Sequence, residues 1–350
     1  MYDNAVLQRD LAQIVSQGIR WDRLAGQTIV ITGANGMLGS YAALAPLKLN
    51  DEKDLDVRVV AMVRSRAKGE AVFADVLGRP DFELVEQDAS EPMTYAGAAD
   101  FIIHAASQAR PDLFDKDPVG TIKANTMGAF HTLDLAVARG TKGYLFISSR
   151  EIYGQPDPGQ ELFVESDWGR VDPLDIRSCY SEGKRAAETI CRSYQHQYGV
   201  DAKVARLSHT YGPGMLPSDT RVQAAFLSNL LRGEDIVLKS TGALTRTYTY
   251  VADAVSALYW ILLDGTEMAY NIADQGSMVS IRDLAEVFAA AAPGAGLKVV
   301  FDIPKDQSVA GWSPVTAGNL DASRLRSLGW APRVSLADGV RRWAEYVEGG

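Results

Sequence analysis

The chain has little that could cross-link it or hold a metal ion. Of its 350 residues, two are cysteine (Cys179 and Cys191) and four are histidine. Two thiols cannot build a disulfide framework, and no Cys/His grouping has zinc-ligand spacing. A reducing, cytoplasmic setting is the expectation. Long apolar runs are also missing, with nothing approaching the roughly 18 residues of a membrane-spanning helix. Residues 1–25 lack the basic start, apolar centre and small-residue cleavage site of a secretion signal. Basic charge is not in surplus. A formal net charge of −9 argues against non-specific nucleic-acid binding, while leaving room for a locally basic pocket around a phosphorylated ligand. Repeats and low-complexity tracts are absent. What is there is an ordinary composition, 47% hydrophobic and 23% charged, on a chain long enough for one large or two modest domains.

Apolar runs of strand length alternate with helical patterns through the first half. Strands are expected at 29–32, 58–63, 82–87, 101–104 and 143–148. Helices are expected after Gly39, at 119–138 and at 178–198, where both cysteines fall on one helix. This alternation implies a parallel sheet covered on both faces. Pro46 should kink or shorten the first of these helices. Ahead of the sheet, Val6, Leu7, Leu11, Ile14 and Val15 recur at helical spacing and predict a short amphipathic helix packed on the domain. Further strands are expected at 202–207, 236–238, 270–272 and 299–301, with helices near 221–232, 253–263, 281–291 and 336–347. Loops rich in turn residues fall at 155–159, 211–217 and 307–314. The reading is α/β: a Rossmann-type doubly wound parallel sheet with a smaller α+β C-terminal lobe. Its expected divisions are 1–26 as a helical extension, 27–208 with 251–274 as the sheet domain, and 209–250 with 275–350 as the substrate lobe.

Two constellations carry chemistry. The run Thr32-Gly33-Ala34-Asn35-Gly36-Met37-Leu38-Gly39 follows a buried strand and opens a helix. Glycines at 33, 36 and 39 allow a tight turn, close approach of backbone to a pyrophosphate, and close helix–sheet packing. The helix start presents free N–H groups to phosphate. Far downstream, Tyr180-Ser181-Glu182-Gly183-Lys184 places a phenol and an ammonium one helical turn apart on the same face. A lysine cation beside a phenol stabilises the phenolate and lowers its pKa, making it a base for a sugar hydroxyl while hydride leaves the same carbon. Ser148-Ser149 at a strand end offers hydroxyls to the reacting oxygen. Together these imply nicotinamide-dinucleotide redox chemistry.

With these motifs go His104-Ala105-Ala106-Ser107, the Ser148–Gly154 run Ser-Ser-Arg-Glu-Ile-Tyr-Gly, and Arg206 through Tyr211-Gly212-Pro213. On them the chain resembles the extended short-chain dehydrogenase/reductases that act on nucleotide sugars as epimerases, dehydratases and decarboxylases. Asp117-Pro118 through Gly128 and the stretch from Cys179 to Thr189 are most similar to UDP-glucuronate decarboxylases. The resemblance implies a cofactor site of Gly33, Asn35, Gly36, Met37, Leu38, Gly39, Arg64, Asp88, Ala89, Ala105, Ala106, Ser107, Asn125, Ser148, Tyr180, Lys184 and Leu207, with Asp88 accepting from the adenine amine. No aspartate follows the second strand; Arg64, Ser65, Arg66 and Lys68 stand there and suit a 2′-phosphate. NAD is the expected form because this chemistry recycles a tightly held cofactor, with NADP the alternative.

The resemblance also implies catalysis by Ser149, Glu151, Tyr180 and Lys184. Tyr180 and NAD would oxidise the sugar at C4. The ketone then acidifies C5 or makes a C6 carboxylate a labile β-keto acid, and water or carbon dioxide leaves. Gln108, Arg150, His209, Arg221 and Arg246 are the expected substrate contacts, Arg246 on the diphosphate. Arg150 stands where glucose 4,6-dehydratases carry an aspartate; it cannot protonate a leaving hydroxyl but can hold a carboxylate or phosphate. The expected partner is a nucleotide-diphosphate sugar, with no nucleic acid, membrane or metal. A homodimer through the helices at 119–138 and 178–198 is implied as well. The activity expected first is decarboxylase-like elimination. Alternatives are a 4-epimerase, a 4,6-dehydratase and, outside enzymes, a nucleotide-sensing module.

Overall fold

Buried β-branched runs separated by helical stretches dictate the layering from residue 28 onward. The structure, a computed structural model, describes residues 1–215, 219–292, 294, 296–303 and 318–349. In chain order its elements begin with α1 (Ala5–Val15), β1 (Thr28–Thr32), α2 (Met37–Lys53), β2 (Arg58–Val63), α3 (Arg66–Phe73), β3 (Phe82–Glu86), β4 (Phe101–His104) and α4 (Pro111–Lys116). Next come α5 (Pro118–Arg139), β5 (Gly143–Ser149), β6 (Leu162–Phe163), α6 (Ser178–Tyr198), β7 (Ala202–Leu207), β8 (His209–Tyr211) and α7 (Val222–Arg232). Then follow β9 (Ile236–Leu238), β10 (Thr245–Tyr250), α8 (Val251–Asp264), β11 (Ala269–Ile272), β12 (Met278–Ser280) and α9 (Ile281–Ala290). The chain closes with β13 (Val299–Phe301), β14 (Asn319–Leu320), α10 (Ser323–Ser327) and α11 (Leu336–Glu348).

Seven strands form one sheet in the order β11-β7-β5-β4-β1-β2-β3, every neighbour parallel. Strand order reverses between β1 and β4, which sets a crevice at the carboxyl ends of the strands. Every residue of β1, β4 and β7 is buried, as helices on both faces require. The chain returns to this sheet late: α8 packs against α1, α2 and β5, and β11 pairs with β7. Short sheets β12-β10-β8, β13-β9 and β14-β6 make the lobe beside the crevice.

Three sequence expectations are corrected. The helix expected after Gly39 begins at Met37, capped by Gly36, so Gly39 lies inside its first turn. Pro46 does not shorten it, and α2 continues to Lys53. A proline at 46 leaves the Ala42 carbonyl without its helical N–H; the buried Tyr259 hydroxyl of α8 donates to that carbonyl instead. Tyr211, read as loop, ends β8 because it pairs in parallel with Tyr250. Residues 216 and 217 of that loop, and the whole loop expected at 307–314, lie outside the described residues.

The amphipathic helix expected at the start is α1, capped by the Asn4 side chain, with Val6, Leu7, Leu11, Ile14 and Val15 buried. It also buries Asp10, which accepts from Tyr41 of α2 (2.9 Å), Tyr250 at the end of β10 (2.7 Å) and Arg342 of α11 (2.7 Å). Burial raises the pKa of this carboxyl, against those three hydrogen bonds. One carboxylate thus ties the extension to the sheet domain and to the last helix. Removing one partner of a buried ion pair costs about 3–5 kcal/mol. Asp10→Ala should lower the unfolding free energy by that order, read as a lower urea midpoint with an unchanged m value; a loss below about 1 kcal/mol would show the network to be incidental.

Candidate active site

The crevice floor is built from strand ends. Gly33 has φ +64°, and a Cβ there would lie 2.7 Å from Ala106 Cα; a Cβ on Gly39 would lie 2.3 Å from the Gly33 carbonyl oxygen. These contacts require glycine at both positions and bring the turn against the Ala105-Ala106 backbone beyond β4. Ala106 N–H donates to Thr32 Oγ1, which is 2.7 Å from His104 Nδ1. No side chain caps α2, so the amides of Met37 and Leu38 present an uncapped helix start to the crevice. The glycines pack the turn against Ala106 and against itself, and the uncapped helix start they lead into suits a dinucleotide pyrophosphate.

Other expected cofactor residues line the same strand ends. Asp88 and buried Ala89 follow β3, with Ser90 donating to Asp88 Oδ1. Arg64 is exposed just past β2, and its charge reaches Asp88 and Asp117. Ser107 donates to Asn125 of α5 at 2.9 Å, and Gln108 donates to Asp117, the residue capping α5. Leu207 is buried at the end of β7.

On α6, Tyr180 is 7% exposed and stacks on Phe114 of α4 with centroids 4.7 Å apart. Lys184 is 2% exposed; its ammonium donates to the Ile147 carbonyl at 2.7 Å and lies 5.7 Å from the Tyr180 ring centre. The expectation that Lys184 lowers the phenol's pKa is not met in the cofactor-free protein. Burial, the largest cause, pushes the Tyr180 phenol up to about 12, with the Glu151 charge adding to it; a hydrogen bond with Ser149 and the charge of Arg221 oppose it. Burial also pushes Lys184 down to about 7, against the Glu188 charge. Both groups are driven toward their neutral forms.

The two serines point apart because side chains alternate along β5. Ser149 joins the phenol and accepts from the Glu151 N–H at 3.2 Å. Ser148, expected at the cofactor, instead donates to Glu188 at 2.6 Å. Glu188 also pairs with Arg206, whose guanidinium reaches Tyr153. Sequence reading missed Glu188, although it lies one turn beyond Lys184 on the same helix face. Phe114 was missed as well; its helix α4 is only six residues long.

Glu151, Phe114, Tyr180, Ser181 and the wall from Arg170 to Ser178 enclose a cavity of about 160 Å³. A wider hollow of about 410 Å³ lies at the opposite, amino ends of the strands, around Thr28, Arg58 and Glu83, away from this chemistry. Arg150 is buried, bonded to Glu151 and to the Gly318 carbonyl. His209 pairs with Tyr248 across β8 and β10, with its Nε2 buried and unpartnered. Burial, then the charges of Arg150, Arg246 and Arg221, hold its imidazole well below the usual range, so it is neutral. Arg246 is buried on β10 and donates to the Thr245 carbonyl; Arg221 caps α7 and is held by Asp219 at 2.7 Å. The charges of three guanidinium groups, Arg221 and Arg246 of the lobe and Arg150 of the turn after β5, thus reach one neutral histidine, an arrangement suited to an anionic ligand. Among the described residues, no group of three or more His, Cys, Asp or Glu is placed to hold a metal ion.

Residues 29–273 match the model of the NAD dependent epimerase/dehydratase family. UDP-glucuronic acid decarboxylase 6 of Arabidopsis thaliana is 34% identical over 313 residues, covering 89% of this chain and 86% of that protein. UDP-glucuronic acid decarboxylase 1 of Xenopus tropicalis is 33% identical over 321 residues, covering 91% and 71%. Among solved structures, UDP-glucose 4-epimerase of Thermotoga maritima with UDP-glucose superposes with a TM-score of 0.77 at 23% identity, over 92% of this chain and 99% of that one. The dTDP-glucose 4,6-dehydratase DesIV of Streptomyces venezuelae, with NAD bound, gives 0.74 at 24%, over 92% and 97%. The structural matches establish the fold. The glycine cradle and the Tyr180–Lys184 pair fall where sequence and fold coincide, and the chain belongs to the NAD dependent epimerase/dehydratase family.

Proposed function

We propose that this protein modifies the sugar of a nucleotide-diphosphate sugar by transient oxidation at C4 followed by elimination, as in a UDP-glucuronate decarboxylase. The observation that carries it is the convergence of Glu151 and Tyr180 on one cavity, with Ser149 hydrogen-bonded both to the Tyr180 phenol and to the Glu151 N–H. NAD held at Gly33, Gly36, Met37 and Gly39 would supply the hydride acceptor and return the hydride. With positive charge from the bound cofactor bringing its raised pKa down, the Tyr180 phenolate takes the proton of the C4 hydroxyl while Ser149 hydrogen-bonds that oxygen. Glu151 moves a proton at the carbon beside the ketone. Arg246 and Arg221 hold the diphosphate, and Phe114, stacked on the Tyr180 ring, covers one face of the phenol. Arg150 in the place of an acid favours loss of a carboxylate over loss of a hydroxyl.

The mass of the product tests this directly. Incubation with UDP-glucuronate should release carbon dioxide and leave a sugar lighter by that mass; a product of unchanged mass would assign epimerisation, and loss of water dehydration. Tyr180→Phe should lower kcat at least ~100-fold, whereas retained turnover would remove the phenol from the mechanism.

We also infer a cytoplasmic homodimer. Ile122, Met127, Phe130 and Val137 leave an apolar stripe exposed on α5, and Tyr198 extends it on the neighbouring α6. No helix of the described residues is long and apolar enough to cross a membrane. Light scattering should give twice the chain mass, and Phe130→Asp should halve it; a parent protein at the single-chain mass would contradict the dimer.

A further inference from the structure

Arg150 is charged, 5% exposed, and set between two residues assigned to the chemistry, Ser149 and Glu151. A guanidinium out of water is costly unless its partners are specific. One arm, Nη2, donates to Glu151 Oε1 at 3.0 Å; the other, Nη1, donates to the Gly318 carbonyl at 3.1 Å, and Nε is buried without a partner. The second contact is made by fit. Gly318 has φ +156°, and a Cβ there would lie 2.3 Å from Nη1. The surroundings do not otherwise favour a cation, because the buried Arg246 guanidinium and His209 both feel the charge of Arg150 unfavourably. Its compensating charge is Glu151.

We propose that Arg150 is the positioning residue for Glu151. Anchored on the Gly318 carbonyl, it fixes one carboxylate oxygen and leaves the second oxygen for the sugar. The inference rests on the reading of Glu151 as the group that moves a substrate proton, and it deepens that reading. A carboxylate oxygen that accepts from a guanidinium is poorly placed to give a proton to a departing hydroxyl. A C6 carboxylate needs no proton to depart: the C5–C6 bond breaks, its electron pair passes into the C4 ketone as an enolate, and carbon dioxide leaves. C5 then takes a proton from a water that Glu151 orients, which regenerates the ketone. The substrate class that fits this pair is therefore a nucleotide-linked hexuronic acid.

The other charged or titratable groups facing Glu151 are Tyr180 of α6, Arg246 of β10, and Arg170, Asp172, Asp175 and Arg177 of the cavity wall. Replacing Arg150 leaves all six in place. Arg150→Met should lower kcat on UDP-glucuronate ~10- to 100-fold with KM within about twofold, and should move the acidic limb of the kcat–pH profile up by about one unit. Arg150→Lys should restore part of that limb. The double variant with Glu151→Gln should be no slower than Glu151→Gln alone, since the two residues act as one unit. Should Arg150→Met not fold, Gly318→Ala displaces the same arm with the charge retained and should move the limb in the same direction. A rise in KM with an unmoved limb, or multiplying losses in the double variant, would overturn the positioning role while leaving Glu151 in the mechanism. Full turnover by Glu151→Gln would remove the reading of Glu151 and the proposal with it.

Discussion

Two ionisable groups kept out of water govern this site. Tyr180 and Lys184 project from one face of α6 into the space between the sheet and α4, where burial drives each toward its neutral form. An unfolded lysine titrates near 10.5, so between about pH 7 and 10.5 the unfolded chain holds a proton that the folded, cofactor-free chain does not. Stability of that form rises with pH through this window, and below pH 7 the whole cost of a buried cation is present. The fold carries this cost with only the Ile147 carbonyl and the Phe146 and Tyr180 rings to set against it, and groups perturbed in this way cluster at functional sites. Charge supplied by a bound dinucleotide and hydroxyls of its ribose would give both side chains partners that the protein alone withholds.

The rest of the architecture keeps that pair in place. Parallel strands bring the glycine turn, the Ala105-Ala106 backbone and Ser149 to the same end of the sheet. Behind them, Glu188 gathers Ser148 and Arg206, and Arg206 reaches Tyr153, so the turn after β5 is fastened to α6 and β7 by buried polar contacts. Such a web is stable only when every member is satisfied, which makes it a rigid backing for the reacting groups. On the opposite side, Arg150 spans from Glu151 to Gly318, joining the sheet domain to the C-terminal lobe across the substrate space.

Much of this could be read from the residues alone. Glycine spacing and long buried runs specify the central sheet because each strand there has enough residues to carry its own pattern. Strands β6 and β14 have two residues each, and β8, β10 and β12 mix polar with apolar residues, whereas β9 and β13, equally short, are wholly apolar and legible; α4 hides Phe114 because it is only six residues long. Pro46 misled because its consequence is settled by Tyr259, more than two hundred residues away in sequence. The adjacent serines differ only through the period-two pleat, which turns Ser149 to the site and Ser148 to Glu188. The pKa of Tyr180 was misjudged since helical spacing reveals which groups share a face and says nothing of how deeply they are buried.

The central claim is that Lys184 is buried beside Tyr180 and poised to lose its proton near neutrality until a ligand meets it. Lysine-selective NMR titration of the cofactor-free protein, with Lys184 assigned by its loss in Lys184→Met, tests this most directly. The account predicts one ammonium titrating near 7 and moving upward when dinucleotide is added. A Lys184 signal at the ordinary value of about 10.4, unmoved by dinucleotide, would contradict it.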